Sequence, residues 1–236
     1  VIKAIQTDDK SIKLTVESPD GDNNFPGNVI ASVTYTLTEN NAIDIQYEAT
    51  TDRKTVINMT NHSYFNLNGD PSASSMNQVL YLASDSITPV DSTFMTNGEM
   101  MAVAGTPFDF NTPKAIEQDV NNFDNEQIKF GKGFDHNWVL KNKGDIKQVA
   151  AKLTSPITGI TLEVYTDEPG IQLYTGNFLD GTVKGKNGIV YPQRASVCLE
   201  TQHYPDSPNK AHWPSVVLEP GKTYTSHCIF QFGVVK

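Results

Sequence analysis

Short runs of β-branched and aromatic residues recur along this 236-residue chain, and each is stopped by a cluster of turn formers. Val29–Leu37 reads VIASVTYTL. Ala42–Ala49 alternates apolar and polar residues, with Ile43, Ile45 and Tyr47 on one face. The Thr-Glu-Asn-Asn stretch at 38–41 between them is turn chemistry, so the pair reads as a hairpin. The same pattern marks Ile12–Glu17, Thr55–Thr60, Gln78–Leu82, Asn137–Val139, Val149–Thr154, Thr161–Thr166, Gln172–Asn177, Ser196–Glu200 and Tyr224–Phe232. Turn clusters such as Pro19-Asp20-Gly21-Asp22, Glu168-Pro169-Gly170 and Glu219-Pro220-Gly221-Lys222 punctuate these runs. Helical periodicity is scarce, and Lys114–Asn121 with its surroundings is the stretch that could make one short helix. A chain built this way folds as an all-β protein, a large antiparallel β-sandwich or barrel-like sheet pair. No internal repeat or low-complexity linker divides it, so 1–236 reads as one domain. Val1–Gln6 already reads as a strand with nothing before it, which leaves an exposed sheet edge or an open face.

Composition narrows the function classes. A net charge of -9 disfavours nucleic acid and anionic membrane surfaces, both of which want basic patches. It also disfavours a phosphorylated substrate. No apolar run approaches the about 20 residues that a membrane span needs. The two cysteines, Cys198 and Cys228, provide no disulfide framework and read as buried free thiols. Cysteine count leaves the compartment open; a cytoplasmic location is favoured over a periplasmic or secreted one. No signal peptide is visible, in a chain that begins at Val rather than Met.

Four segments carry candidate chemistry. In Asn58–Gly69 a β-branched strand runs into Asn, Ser, Thr and one histidine, His62. The Asn side chains suit hydrogen bonding to turn backbone, and a lone His near a strand end serves structure more often than catalysis. Tyr64 and Phe65 offer an aromatic platform or core packing. In Gly131–Leu140 an Asp135-His136 pair sits between glycines and an apolar strand. Asp135 can accept hydrogen bonds from two adjacent hydroxyls of a diol, or cap loop amides. The pair is also a weak metal signal, but no further ligand stands at a zinc-like spacing, so no metal site is read here. In Cys198–Asn209, Glu200 ends an apolar run. Alternation puts Cys198 and Glu200 on one face and Val197 and Leu199 on the other, and a partly desolvated carboxylate there becomes a useful general base. In Pro169–Phe178, Gln172 and Tyr174 share a face, and a Gln amide offers both a donor and an acceptor to a hydroxyl.

The order and wording of these segments are more specific than any one of them. Asn61-His62-Ser63-Tyr64-Phe65-Asn66-Leu67, Ile87-Thr88-Pro89-Val90-Asp91, Gly105-Thr106-Pro107-Phe108-Asp109-Phe110, Gly133-Phe134-Asp135-His136, Gln172–Phe178, and Leu199-Glu200 followed by Asp206-Ser207-Pro208-Asn209 occur in sequence. With the closing Leu218-Glu219-Pro220-Gly221 and Tyr224, they make the chain resemble the aldose 1-epimerases, also called galactose mutarotases. The resemblance runs from about Asp20 to the C-terminus. It implies a β-sandwich of the supersandwich type and interconversion of the α- and β-anomers of hexoses such as glucose and galactose. It implies His62 as general acid and Glu200 as general base, with His62, Ser63, Tyr64, Asp135 and Gln172 binding the sugar. The chain departs from the family in two ways. It lacks roughly the N-terminal third of the usual domain, which carries an Asn-Arg pair and another His that bind sugar. It also has Gln78 where the family often has His.

The chemistry suits these residue types. A hemiacetal opens when its C1 hydroxyl loses a proton and its ring oxygen gains one; the aldehyde then rotates and recloses. That needs an acid and a base but no cofactor and no metal, although a bound calcium is left open in a chain rich in Asp and Asn. The expected partner is a small neutral sugar, not nucleic acid or membrane, and the protein is expected as a monomer or homodimer. Three rivals remain. A sugar-phosphate 1-epimerase would want several Arg or Lys around the pocket. A non-catalytic carbohydrate-binding module would not need an acid and a base on opposite sides of the ring. A glycoside hydrolase accessory domain would want two carboxylates.

Overall fold

The computed structural model describes residues 2–235. Among them the chain forms sixteen strands and one α-helix. The strands of the first half are β1 (Lys3–Gln6), β2 (Ser11–Ser18), β3 (Val29–Leu37), β4 (Ala42–Thr51), β5 (Thr55–Val56), β6 (Val79–Leu82), β7 (Ser84–Thr88), β8 (Met101–Ala102) and β9 (Lys114–Ala115). After α1 (Glu126–Gly131) come β10 (Asp135–Leu140), β11 (Ala151–Thr154), β12 (Ile160–Thr166), β13 (Gly170–Tyr174), β14 (Cys198–Gln202), β15 (Val217–Leu218) and β16 (Tyr224–Val234).

The β3–β4 hairpin follows its sequence closely. Leu37 pairs with Ile43, Thr38 N–H donates to Ala42 O at 2.9 Å, and Asn41 takes the left-handed turn at φ 63°. Along β4, Ile45, Tyr47 and Ala49 are buried while Gln46 and Glu48 are exposed, as alternation requires. This hairpin sits inside a nine-stranded antiparallel sheet ordered β1-β2-β3-β4-β16-β12-β11-β6-β9. A five-stranded sheet, β14-β13-β10-β7-β8, forms the second layer, and β15 pairs with β5 in a small ladder.

The two sheets close over one core. Ile45, Leu80, Leu153, Val164 and Phe230 from the larger sheet pack in the same cluster as Ile87, Trp138, Ile171, Leu173 and Leu199 from the smaller. Phe108, Phe110, Phe134 and Trp138 form a fully buried aromatic group in the cluster. Each such side chain contributes about 1.5–3 kcal/mol by leaving water. The all-β sandwich read from the sequence is thus the observed fold. Cys198 and Cys228 are buried and unpaired.

The structure differs from the sequence reading at three places. Thr55–Thr60 pairs only at Thr55–Val56, because β15 offers two partners. Lys114–Asn121 is a two-residue strand followed by a 3₁₀ turn at Ile116–Gln118, since Ile116 and Glu117 donate their amides to Gln78 and Met76 of a neighbouring segment rather than within a helix. The α-helix lies later, at Glu126–Gly131, where Asn125 caps it by accepting from the amides of Gln127 and Ile128. The expected first strand is present as Lys3–Gln6, an exposed edge of the large sheet; Val1 lies outside the described residues. No helix among the described residues is long and apolar enough to cross a membrane.

Candidate active site

The smaller sheet builds the site through its register. Gln172 on β13 lies opposite Glu200 on β14 and opposite Asn137 on β10. Tyr174 lies opposite Cys198 and Asp135 in the same way. Two adjacent cross-strand rows therefore put Cys198, Tyr174 and Asp135 beside Glu200, Gln172 and Asn137 on one face. The alternate residues Leu199, Leu173, Ile171 and Trp138 point into the core and fix that face in place. The same alternation splits the Asp-His pair: Asp135 lines the site, whereas His136 is wholly buried against Phe108 and Trp138. Burial pushes the His136 imidazole down to about 3, so it stays neutral as a core residue.

His62 arrives from the long connection between β5 and β6. Phe65 anchors that segment, exchanging two 2.8 Å backbone bonds with Val197 just before β14 and packing its ring on Phe230. Asn61 accepts from the Ser63 amide, Asn66 donates to Ala195 O, and buried Gln78 accepts from the Leu67 amide at 2.8 Å. The asparagines thus organise backbone, and Gln78 stitches the segment from behind. Held this way, His62 stacks on Tyr64 with ring centroids 5.0 Å apart and meets the edge of Tyr174 at 6.0 Å. Its Nε2 stands 3.3 Å from Glu200 Oε1.

These groups surround an open cavity of about 440 Å³ lined by His62, Tyr64, Asp135, Gln172, Tyr174 and Glu200, together with Phe178, Gln202 and Pro205. Glu200 is 7% exposed. Burial pushes its carboxyl up to about 7, with the nearby Asp135 adding to the rise and His62 opposing it. Burial also raises Asp135, against the hydrogen bond that Gln172 Nε2 donates to its Oδ1 at 2.8 Å. Five of the six expected site residues therefore converge. Ser63 stays outside the lining as an exposed residue. The acid and base candidates are neighbours rather than groups facing each other across a ring.

Sequence reasoning missed several residues here. Gln202 and Asn137 follow Glu200 and Asp135 at a spacing of two, so strand alternation was the signal for both. Asn137 and its β7 partner Thr88 are about 1% exposed, and their side chains have no hydrogen-bond partner in the protein. They line a smaller cavity of about 210 Å³ that shares Asp135 and Gln172 with the first. Pro205 is brought in by the Asp-Ser-Pro-Asn loop, where Asp206 holds Lys210 at 2.7 Å and accepts from Thr96. His203, in the same stretch, pairs instead with buried Glu168 at 2.5 Å.

Residues 2–231 match the family described as aldose 1-epimerase. The chain is 42% identical to galactose mutarotase of Sus scrofa over 94% of its own length and 63% of the relative's. It is 40% identical to aldose 1-epimerase of Escherichia coli K12 over 97% of its length and 65% of that protein's. It thus spans less than two thirds of these relatives. Among solved structures, galactose 1-epimerase from Lactobacillus acidophilus superposes with a TM-score of 0.84 at 31% identity, covering 100% of this chain and 66% of that one. An aldose epimerase homologue from C. elegans gives a TM-score of 0.89 at 28% identity, over 100% of this chain and 69% of that one. The match over nearly the whole chain and the shared sandwich lead to one assignment: the chain belongs to the aldose 1-epimerase family.

Proposed function

We propose that the protein interconverts the α- and β-anomers of free hexoses such as galactose and glucose, with Glu200 as general base and His62 as general acid. The observation that carries this reading is the 3.3 Å approach of His62 Nε2 to Glu200 Oε1 at the cavity wall. In a cyclic hemiacetal the hydroxyl that loses a proton and the ring oxygen that gains one are bonded to the same carbon. An acid and a base that serve them must be neighbours, which these two are.

The C1 end of the sugar docks against both groups at once. Glu200 removes the proton of the C1 hydroxyl, the C1–ring-oxygen bond breaks, and His62 Nε2 delivers a proton to the departing oxygen. The product is an open aldehyde. Rotation about C1–C2 presents the other carbonyl face, and the two transfers run backwards to close the opposite anomer. A carboxyl raised to about 7 is a base matched to neutral pH. Each well-placed transfer contributes roughly 10²–10⁴-fold. Asp135 and Gln172 form a joined acceptor–donor edge for ring hydroxyls, and Tyr64 and Tyr174 give the sugar's C–H faces an aromatic wall.

An uncharged sugar is favoured over a sugar phosphate because, among the described residues, no Lys or Arg lines the cavity. Arg194, a buried cation, donates instead to Lys132 O at 2.8 Å and to Asn121, Thr175 and Asn177. A purely sugar-binding role would give no reason for a desolvated carboxyl beside an imidazole. The test is polarimetry of freshly dissolved α-galactose, α-glucose and a hexose 6-phosphate with the full-length protein. The reading expects rapid equilibration of a free hexose and slower action on the phosphate. Equilibration at the uncatalysed rate would overturn it, and preference for the phosphate would move the assignment to the sugar-phosphate class.

A further inference from the structure

Cys198 is buried beside this site, and the proposed chemistry leaves its thiol idle. Strand alternation places it on the same face of β14 as Glu200, two residues away, and His62 reaches over the same spot. In consequence the Cys198 Sγ, an imidazole nitrogen of His62 and a carboxylate oxygen of Glu200 all lie within 4.8 Å of one another. Neither the Asp-His pair nor any spacing in the sequence announces this set, because its members come from a loop and a strand 136 residues apart.

Thiolate sulfur, imidazole nitrogen and carboxylate oxygen are the donor types that zinc takes. Three protein donors with an open fourth position is a recurrent zinc arrangement, the fourth ligand being water. Here His62 is 53% exposed, so the open side faces solvent. Charge favours the same occupant. Asp135 and Glu200 bring two carboxyls into the cavity, and no Lys or Arg among the described residues lines it. Hard cations that want six or more oxygens are poorly served by a set containing sulfur.

We propose that His62, Cys198 and Glu200 form a binding site for a thiophilic divalent cation, zinc in particular, and that its occupation stops the sugar chemistry. The second half rests on the proposed epimerase reading; the first does not. Metal–sulfur distances of about 2.3 Å and metal–nitrogen or –oxygen distances of about 2.0–2.2 Å require the donors to draw in by roughly 1 Å. The exposed His62 side chain can supply that movement. As the metal–sulfur bond forms, the Cys198 thiol gives its proton to water, and no oxidation or reduction takes place. The metal then holds the same His62 nitrogen and Glu200 oxygen that would exchange protons with the sugar. Cation and sugar therefore compete.

Cobalt(II) is the probe, added to the full-length protein. A thiolate-to-cobalt charge-transfer band is expected in the near ultraviolet, displaced by zinc. It should vanish in Cys198→Ser and persist in Cys228→Ala, whose thiol lies in the core. In polarimetry with α-galactose, zinc should inhibit competitively and a chelator should reverse the effect. With inhibition measured against its own metal-free rate, Cys198→Ser should need about tenfold or more zinc than the unaltered protein for half-inhibition. No cobalt–thiolate band in the unaltered protein overturns the proposal, as does zinc inhibition unchanged in Cys198→Ser. If the band forms and depends on Cys198 while the protein equilibrates no sugar, the metal site stands and the epimerase reading falls.

Discussion

Replacing Glu200 by Gln should stabilise the protein while disabling it, and the gain should depend on pH in a defined way. An ordinary glutamate titrates near 4.5, whereas burial holds Glu200 at about 7. The folded state thus binds a proton that the unfolded chain has released between those values. Stability falls as pH rises through that window, because ionising the buried carboxyl opposes folding. At about 1.4 kcal/mol per pH unit, the full difference is on the order of 3 kcal/mol. The glutamine amide carries a desolvation cost close to that of the protonated carboxyl, about 1–2 kcal/mol in each, so that cost cancels and the net gain above the window should be about 3 kcal/mol. For a chain of this size that is roughly 2–4 °C in Tm per kcal/mol. The assay is denaturant unfolding of both proteins in one buffer below pH 4.5 and one above pH 7. Below the window the two should be equally stable; above it Glu200→Gln should be the more stable. A gain of equal size at both pH values, or a loss at the higher one, would refute the desolvated-base argument.

Other perturbations separate positioning from chemistry. Gln172→Leu removes the 2.8 Å donor to Asp135; hydrogen bonds to charged groups are worth about 1.5–3 kcal/mol, so KM for galactose should rise about 10–100-fold with a smaller change in kcat. An unchanged KM would exclude the pair from sugar binding. Phe65→Ala deletes the ring that packs on Phe230 at 5.1 Å and should lower stability by about 3 kcal/mol, with loss of activity through the His62 segment, read as a fall in Tm together with kcat. Gly133→Ala would put a Cβ 2.5 Å from Arg194 Nη1 at a φ of 133°; backbone strain of about 1–3 kcal/mol and loosening of the loop before Asp135 should appear as a lower Tm.

Much of the fold was legible because its strands obey period two. Val29–Leu37 ends where the alternation ends, and the Asn-rich turn after it closes the hairpin as its residues demand. The helix was harder to read. Six residues are too few to display a period, and what sets α1 is the Asn125 cap, a side-chain contact that a pattern search does not weigh. Lys114–Asn121 failed as a helix because its amides found partners in a distant segment, a tertiary effect. Within the site, Glu200, Gln172 and Tyr174 were readable as residues on chosen faces and Asp135 as a hydroxyl acceptor or loop cap, and the family resemblance joined them to His62. What remained hidden was the cross-strand register. It sets Cys198 beside the candidate base and leaves Asn137 and Thr88 unpaired next to the cavity, and no local sequence encodes which strand lies next to which.

The pairing of His62 with Glu200 is tested most directly by anomer-exchange rates on α- and β-galactose for the unaltered protein, His62→Asn, Glu200→Gln and the double variant. The proposed chemistry predicts a loss of roughly 10²–10⁴-fold in kcat for each single change. The double variant should lose little more, because an acid and a base that act together fail together. Single variants that exchange anomers within about tenfold of the unaltered rate would contradict the assignment of these two residues as the proton-transfer pair.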